Sequence, residues 1–137
     1  MKIILLTLLF SSGLMASEII VNVNGLRSTE GKIQIAIWKN AEGFPEDYSK
    51  SMDQMLVPST LSRAIFKNIE VGDYAVAVFH DKNNDNDLNR NGFGIPTEGF
   101  GFSNNPRIIF GPPKFNKAKF KVTEGETKEI EIELKHF

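Results

Sequence analysis

Tyr74-Ala75-Val76-Ala77-Val78-Phe79-His80 is the stretch whose pattern fixes the class of fold. Tyr74, Val76 and Val78 share one parity, Ala75, Ala77 and Phe79 the other, and both sets are apolar. A strand with one wet face alternates apolar and polar residues, whereas a strand apolar on both faces has to be covered twice. Residues 74–80 are therefore expected as a central strand, introduced by the turn signal Gly72-Asp73.

Outward from this segment the period stays at two. Ile19, Val21 and Val23 alternate with Ile20, Asn22 and Asn24, and Ile33, Ile35 and Ile37 with Gln34, Ala36 and Trp38. Near the C-terminus Ala118, Phe120 and Val122 face away from Lys119 and Lys121, and Ile130, Ile132 and Leu134 from Glu129, Glu131 and Glu133. Each reads as a strand with one buried face. Leu61–Lys67 is a weaker strand. The links Gly25–Gly31 and Thr123–Thr127 have hairpin-like spacing, so both flanking pairs are expected to be antiparallel neighbours. Asn40–Pro58 reads as a loop with one short helical turn that Pro45 starts. Six or seven short strands with little helix predict an all-β fold, an antiparallel β-sandwich.

The chain has 137 residues, room for one domain with a real core. Lys2, the apolar run Ile3–Phe10 and the small residues Ser11, Ser12, Gly13, Ala16 and Ser17 have the layout of a secretory signal peptide. Residues 1–16 are expected to be removed by cleavage after Ala16, and an uncleaved anchor is the alternative. The run is short for a bilayer span, and no cysteine follows it to carry lipid. Residues 17–137 then form the single mature domain, without a membrane span. Losing Lys2 leaves 15 basic and 17 acidic residues, a balance with no electrostatic footprint for nucleic acid. Without cysteine, no disulfide supports an exported domain, so stability rests on the apolar core. A periplasmic address is expected, with secretion from the cell as the alternative.

The central strand runs directly into His80-Asp81-Lys82-Asn83-Asn84-Asp85-Asn86-Asp87-Leu88-Asn89, in which Asp81, Asn83, Asp85, Asp87 and Asn89 fall on every second position. Oxygen-bearing side chains at alternate residues of a turning loop are how calcium loops surround a hard cation. Three carboxylates in seven residues, with only Lys82 among them, also repel one another unless compensated. Counted from Asp81, the twelfth position is Gly92 rather than the bidentate Glu of an EF-hand, and Glu98 is the residue that folding back would bring in. The candidate Ca2+ ligands are therefore Asp81, Asn83, Asp85, Asp87, Asn89 and Glu98. The plainer reading is an Asx-rich turn, because Asn and Asp side chains also cap backbone N–H groups.

The second half of the loop carries a more specific pattern. Gly94-Ile95-Pro96-Thr97-Glu98-Gly99-Phe100-Gly101-Phe102-Ser103-Asn104-Asn105 follows the His80-Asp81 pair, and Pro113-Lys114-Phe115-Asn116-Lys117-Ala118-Lys119-Phe120 follows in turn. With Gly43-Phe44-Pro45 upstream, these residues closely resemble the bacterial DUF2141 family of exported proteins across essentially the whole mature chain. Similar sequences usually read D-x-N-x-N-G-x-L-D in the turn, where this chain has Asp85-Asn86-Asp87-Leu88-Asn89. Asn86 suits the left-handed backbone that Gly would otherwise supply. The resemblance implies export and a sandwich similar to prealbumin-like or Cna-B-like modules, and it assigns no activity.

Two further features bear on function. His80, Asp81, Glu98 and Ser103 are the residues a hydrolase would use, but adjacent strand residues point to opposite faces and no G-x-S-x-G elbow surrounds Ser103. His80 is expected instead to bond loop backbone. Phe93, Phe100, Phe102, Phe110 and Phe115 are expected to form a satellite core that pins the long loop, or else a groove for a glycan, peptide or protein. Trp38 is either a contact residue or buried under that loop. The overall expectation is a non-enzymatic, monomeric binding or structural module, with a hydrolase as the competing class.

Overall fold

The computed structural model describes residues 16–137, so all of the expected leader except Ala16 lies outside the described residues. In chain order the strands are β1 (Ser17–Asn24), β2 (Lys32–Trp38), β3 (Asp53–Pro58), β4 (Arg63–Ile69), β5 (Gly72–Asp81), β6 (Phe100–Phe102), β7 (Phe120–Val122) and β8 (Thr127–Glu133). One sheet runs β4-β1-β8 and the other β3-β2-β5-β6, with β7 paired to the first residues of β5. A four-residue helix α1 (Phe115–Ala118) precedes β7, and a 3-10 turn occupies Tyr48–Lys50. The molecule is an all-β sandwich of two mainly antiparallel sheets. Among the described residues no helix is long and apolar enough to cross a membrane.

The two expected hairpins are not formed. β1 pairs with β4 and, in parallel, with β8, whereas β2 pairs with β3 and β5. The links Gly25–Gly31 and Thr123–Thr127 cross between the sheets. A link of this length spans the ~10 Å between stacked sheets as readily as it reverses a hairpin, so turn residues alone do not distinguish the two. The segment expected as loop over Asn40–Pro58 contains β3, an edge strand in which only Val57 is buried and which therefore shows no alternation. Ala118 closes α1 rather than opening a strand, and the weak strand begins at Arg63 rather than Leu61.

β5 occupies the interior, as its two apolar faces require. Tyr74, Val76 and Val78 meet Ile33, Ile35 and Ile37 on the face turned to the first sheet, where Ile19, Val21, Phe66 and Ile132 complete the core. Ala75, Ala77 and Phe79 belong to a second cluster on the outer face with Trp38, Phe100 and Phe102. Phe44, Tyr48, Leu88, Ile108 and Phe115, all from connecting segments, pack over that cluster. Trp38 is fully buried beneath them and stacks edge-on against Phe44 with ring centroids 5.2 Å apart. Among the described residues its indole N–H has no partner. Such an orphan costs ~1–3 kcal/mol, while burying about 200 Å² of aromatic surface at ~25 cal/mol per Å² contributes ~5 kcal/mol. Burial wins.

Val76 is completely buried at the centre of β5. Val76→Asp places an unpaired charge there, at a cost of several kcal/mol, comparable with the ~5–15 kcal/mol stability of a whole domain. The variant is expected to show no cooperative thermal transition by circular dichroism; a melt near the wild-type temperature would contradict the buried position of β5.

Candidate functional site

The site begins where β5 ends. Side chains alternate along the strand, so His80 follows Val78 towards the inner core while Asp81 follows Phe79 to the outer face. Both are buried, Asp81 at 0% exposure. The His80 backbone N–H donates to Gly99 O at 2.8 Å. Its ring Nε2 lies 2.6 Å from Glu30 O. A carbonyl only accepts, so the proton sits on Nε2. His80 does bond loop backbone, but in the β1–β2 connection.

Asp81 gathers the chain that follows it. Its Oδ1 accepts from Asp85 N at 3.1 Å and its Oδ2 from Asn86 N at 2.8 Å. Lys32 Nζ, from the neighbouring strand, lies 3.7 Å from Oδ2 and also bonds Asn86 Oδ1. Reaching both N–H groups bends the backbone sharply, and Asn84 and Asn86 take positive φ of 57° and 65°. Asn tolerates this region better than other side chains, so Asn86 fills the role expected of it. Gly31, at φ +73°, faces the same turn: a Cβ there would come within 2.1 Å of Asp81 O.

Glu98 clasps the loop from its far end. Its Oε2 accepts from Lys82 N at 2.8 Å and its Oε1 from Asn89 N at 2.9 Å. Asp81 and Glu98 together thus take four backbone N–H groups that no sheet satisfies. Carboxylate oxygens of Asp81, Asp85 and Glu98 lie within 4.8 Å of one another. Asn89 Nδ2 donates to Asp85 Oδ2 at 2.8 Å, and Asn83 Nδ2 to the same oxygen at 3.2 Å. Asn89 Oδ1 is buried without a partner among the described residues. Of the six candidate ligands, Asp81, Asp85 and Glu98 bring oxygens together, Asn83 and Asn89 turn amide nitrogens to Asp85, and Asp87 contributes only its backbone N–H, to Asp85 Oδ1 at 3.0 Å. The Asp85 carboxyl is held below its ordinary 3.8, chiefly by the Asn89 amide, with Asp87 N–H and Asn83 acting the same way against a smaller desolvation effect.

The hydrolase constellation is not assembled. Ser103 is buried beside Val76, accepting from Val76 N at 2.9 Å and donating to Ala118 O at 2.5 Å. Four residues of strand separate Val76 from His80, about 13 Å at ~3.3 Å per residue. Ser103-Asn104-Asn105 is instead a set of staples. Asn104 Nδ2 donates to Lys117 O and Lys119 O, and Asn105 bonds Glu131 O and Glu133 N of β8. Nothing in the spacing of those residues identified that role. Phe100, Phe102 and Phe115 join the outer cluster, but Phe93 and Phe110 do not: they are 91% and 100% exposed. The expected satellite core is built instead with Phe44, Tyr48, Leu88 and Ile108.

An all-β sandwich with one long loop held by internal carboxylates is the class that fold and site define. The chain belongs to the family described as "Uncharacterized protein conserved in bacteria (DUF2141)", whose model matches residues 21–131. No curated protein and no solved structure matches it.

Two outcomes test this geometry. Gly31→Ala meets backbone at a positive φ and should destabilise by more than about 2 kcal/mol in urea denaturation, while Gly92→Ala, with nothing within 4 Å, should stay within about 0.5 kcal/mol of wild type. Equal midpoints would contradict the contact between the β1–β2 link and Asp81. For Asp85 the depressed folded value means that its contribution is complete above its ordinary value and is lost as pH falls through the lower one. NMR titration should place the Asp85 carboxyl below 3.8, and Asn89→Ala should raise it; no change would remove Asn89 as the cause.

Proposed function

We propose that this protein is an exported, non-enzymatic binding or structural module whose Asp/Asn loop is organised by one calcium ion. The convergence of Asp81, Asp85 and Glu98 within 4.8 Å carries this reading. Two oxygens on opposite sides of a calcium ion stand about 5 Å apart, so that spread suits one ion. Among the described residues, Lys32 beside Asp81 is the one cation paired with any of the three carboxylates. Asn89 Oδ1, buried and unpaired, supplies a further oxygen. Oxygen donors alone suit a hard cation, and no cysteine is present to favour a softer one. Asp81, Asp85, Glu98 and Asn89 would hold the ion, with Asn83 and Asp87 adding oxygen and negative charge at the rim. The ion would supply the compensation that lets the loop close without self-repulsion. The signal-like start of the chain supports a periplasmic location, where millimolar calcium is accessible to such a site.

With backbone N–H groups already on Asp81 and Glu98, affinity should be that of weak extracellular sites, roughly 10⁻⁴ to 10⁻³ M. Calcium at about ten millimolar then adds ~1.4–2.7 kcal/mol to the folded state and raises the melting temperature by several degrees. Magnesium should do less, since it demands tighter octahedral geometry. Asp85→Ala and Glu98→Ala should each abolish the calcium-dependent shift, whatever their own melting temperatures. Identical melts in calcium and chelator, with no heat of binding by calorimetry, would leave the loop as a metal-free Asx turn.

A further inference from the structure

The outer layer over β5 is not filled. A cavity of about 520 Å³ lies between Phe79, Phe100 and Phe102 on the sheet and Leu88, Ile95 and Ile108 in the covering loops. We propose that this cavity is a binding site for one small, uncharged molecule with an aromatic or alicyclic body and a hydrogen-bond acceptor. The proposal goes beyond the calcium reading and does not need it.

Size comes first. The volume falls inside the ~300–1,000 Å³ range of small-molecule sites, and the aromatic and aliphatic lining suits flat apolar rings. The charges at the rim decide against an ion. Arg90 lines the cavity, but its guanidinium is already committed to Glu46 Oε1 at 3.3 Å and to Gly94 O at 3.2 Å. An anion entering would give up its hydration without finding a free cation, a loss of several kcal/mol. Asp87, the remaining charged group of the lining, is exposed to water that screens it from a buried cation.

Tyr48 offers the cavity a neutral side-chain donor. Tyr48 lines the cavity, packed between Trp38 and Phe79 at centroid distances of 5.5 and 6.0 Å. Its carbonyl accepts from Ser51 and Gln54, but its hydroxyl has no hydrogen-bond partner among the described residues. Burial, reinforced by the Glu46 carboxylate, holds this phenol well above its ordinary 10.0, so it stays a neutral donor. A ketone, ester or hydroxyl oxygen on an otherwise apolar molecule would accept from it. This pairing of many apolar contacts with one placed donor is what gives such sites their orientation.

The full mature chain titrated with prodan, an uncharged naphthyl ketone that brightens in apolar surroundings, tests this. Saturable binding to one site is expected. Uncharged 2-acetonaphthone should displace prodan at concentrations at least tenfold lower than 2-naphthoate or 2-naphthylmethylammonium, which share its rings but carry opposite charges. Leu88→Asp and Ile108→Trp should weaken prodan at least tenfold, and Leu61→Ser, an exposed residue outside the cavity lining, should leave it unchanged. Tyr48→Phe keeps the packing and should weaken prodan five- to tenfold, which decides the matter if the other variants fail to fold. Absence of saturable binding, equal competition by the ions, or wild-type affinity in Tyr48→Phe would overturn the proposal. Titrating in calcium and in chelator separates the two readings, since binding in chelator supports the cavity even where calcium has no effect on the loop.

Discussion

A central strand that is apolar on both faces imposes two covers on its sheet, and the rest of the molecule is arranged to provide them. The inner cover is conventional: β4, β1 and β8 present Phe66, Ile19, Val21 and Ile132 to Val76 and Val78. The outer cover has no sheet or long helix behind it. It is made from the segment after β2, the long segment between β5 and β6, and the segment leading into α1, which contribute Phe44 and Tyr48, Leu88, and Ile108 and Phe115 respectively. Aromatic side chains suit this work, because each buries ~150–250 Å² from a single backbone position. Trp38, with its orphaned N–H, measures how strongly that cover is favoured over polar satisfaction.

Loops used as a packing layer must be held without ladder hydrogen bonds, and here side chains of the loops themselves do the holding. Asp81 and Glu98 accept from Lys82, Asp85, Asn86 and Asn89, closing the first half of the long loop from both ends. Ser103, Asn104 and Asn105 fix the second half to β5, to the end of α1 and to β8. Carboxylates serve well as anchors, since each oxygen accepts a charge-assisted bond stronger than a neutral one. The same choice brings Asp81, Asp85 and Glu98 together, so the means of holding the loop is also what concentrates negative charge at its base.

How much of this was legible follows from what each residue's neighbours are. Val76 and Ala77 announced a doubly covered strand because burial of both faces is written in consecutive residues. Glu131 and Ile132 announced a half-buried strand for the same reason, but not its parallel partner β1, which lies more than a hundred residues away in sequence. β3 was invisible because an edge strand with one buried residue carries no period. In the loop, Asp81, Asp85 and Glu98 stood out by type, and their convergence depends on backbone turns at Asn84 and Asn86 that composition only suggests. Lys32 gave no sign of its role, since its approach to Asp81 exists only through the β2–β5 register, which sets those two residues side by side. Phe93 and Phe110 misled because a phenylalanine in a loop looks the same whether it packs or points outward.

A cover built from loops also differs from a sheet in how completely it can fill space. Strands repeat at fixed spacing and interdigitate to the density of a crystal, whereas three unrelated segments meet only where their own anchors let them. Ala77 fills little space on the outer face, and it lines the cavity together with Phe79, Phe100 and Phe102. Asp81 and Glu98 anchor the first half of the loop near the end of β5 and Ser103 anchors the second at Val76, and Leu88 and Ile95, which line the space, lie between those anchors in sequence. The space left over is thus a consequence of where the hydrogen bonds lie. Asn86 belongs both to the carboxylate-bound turn, through its N–H on Asp81, and to the cavity wall, so the hydrogen bonds that hold the turn also set one side of that space.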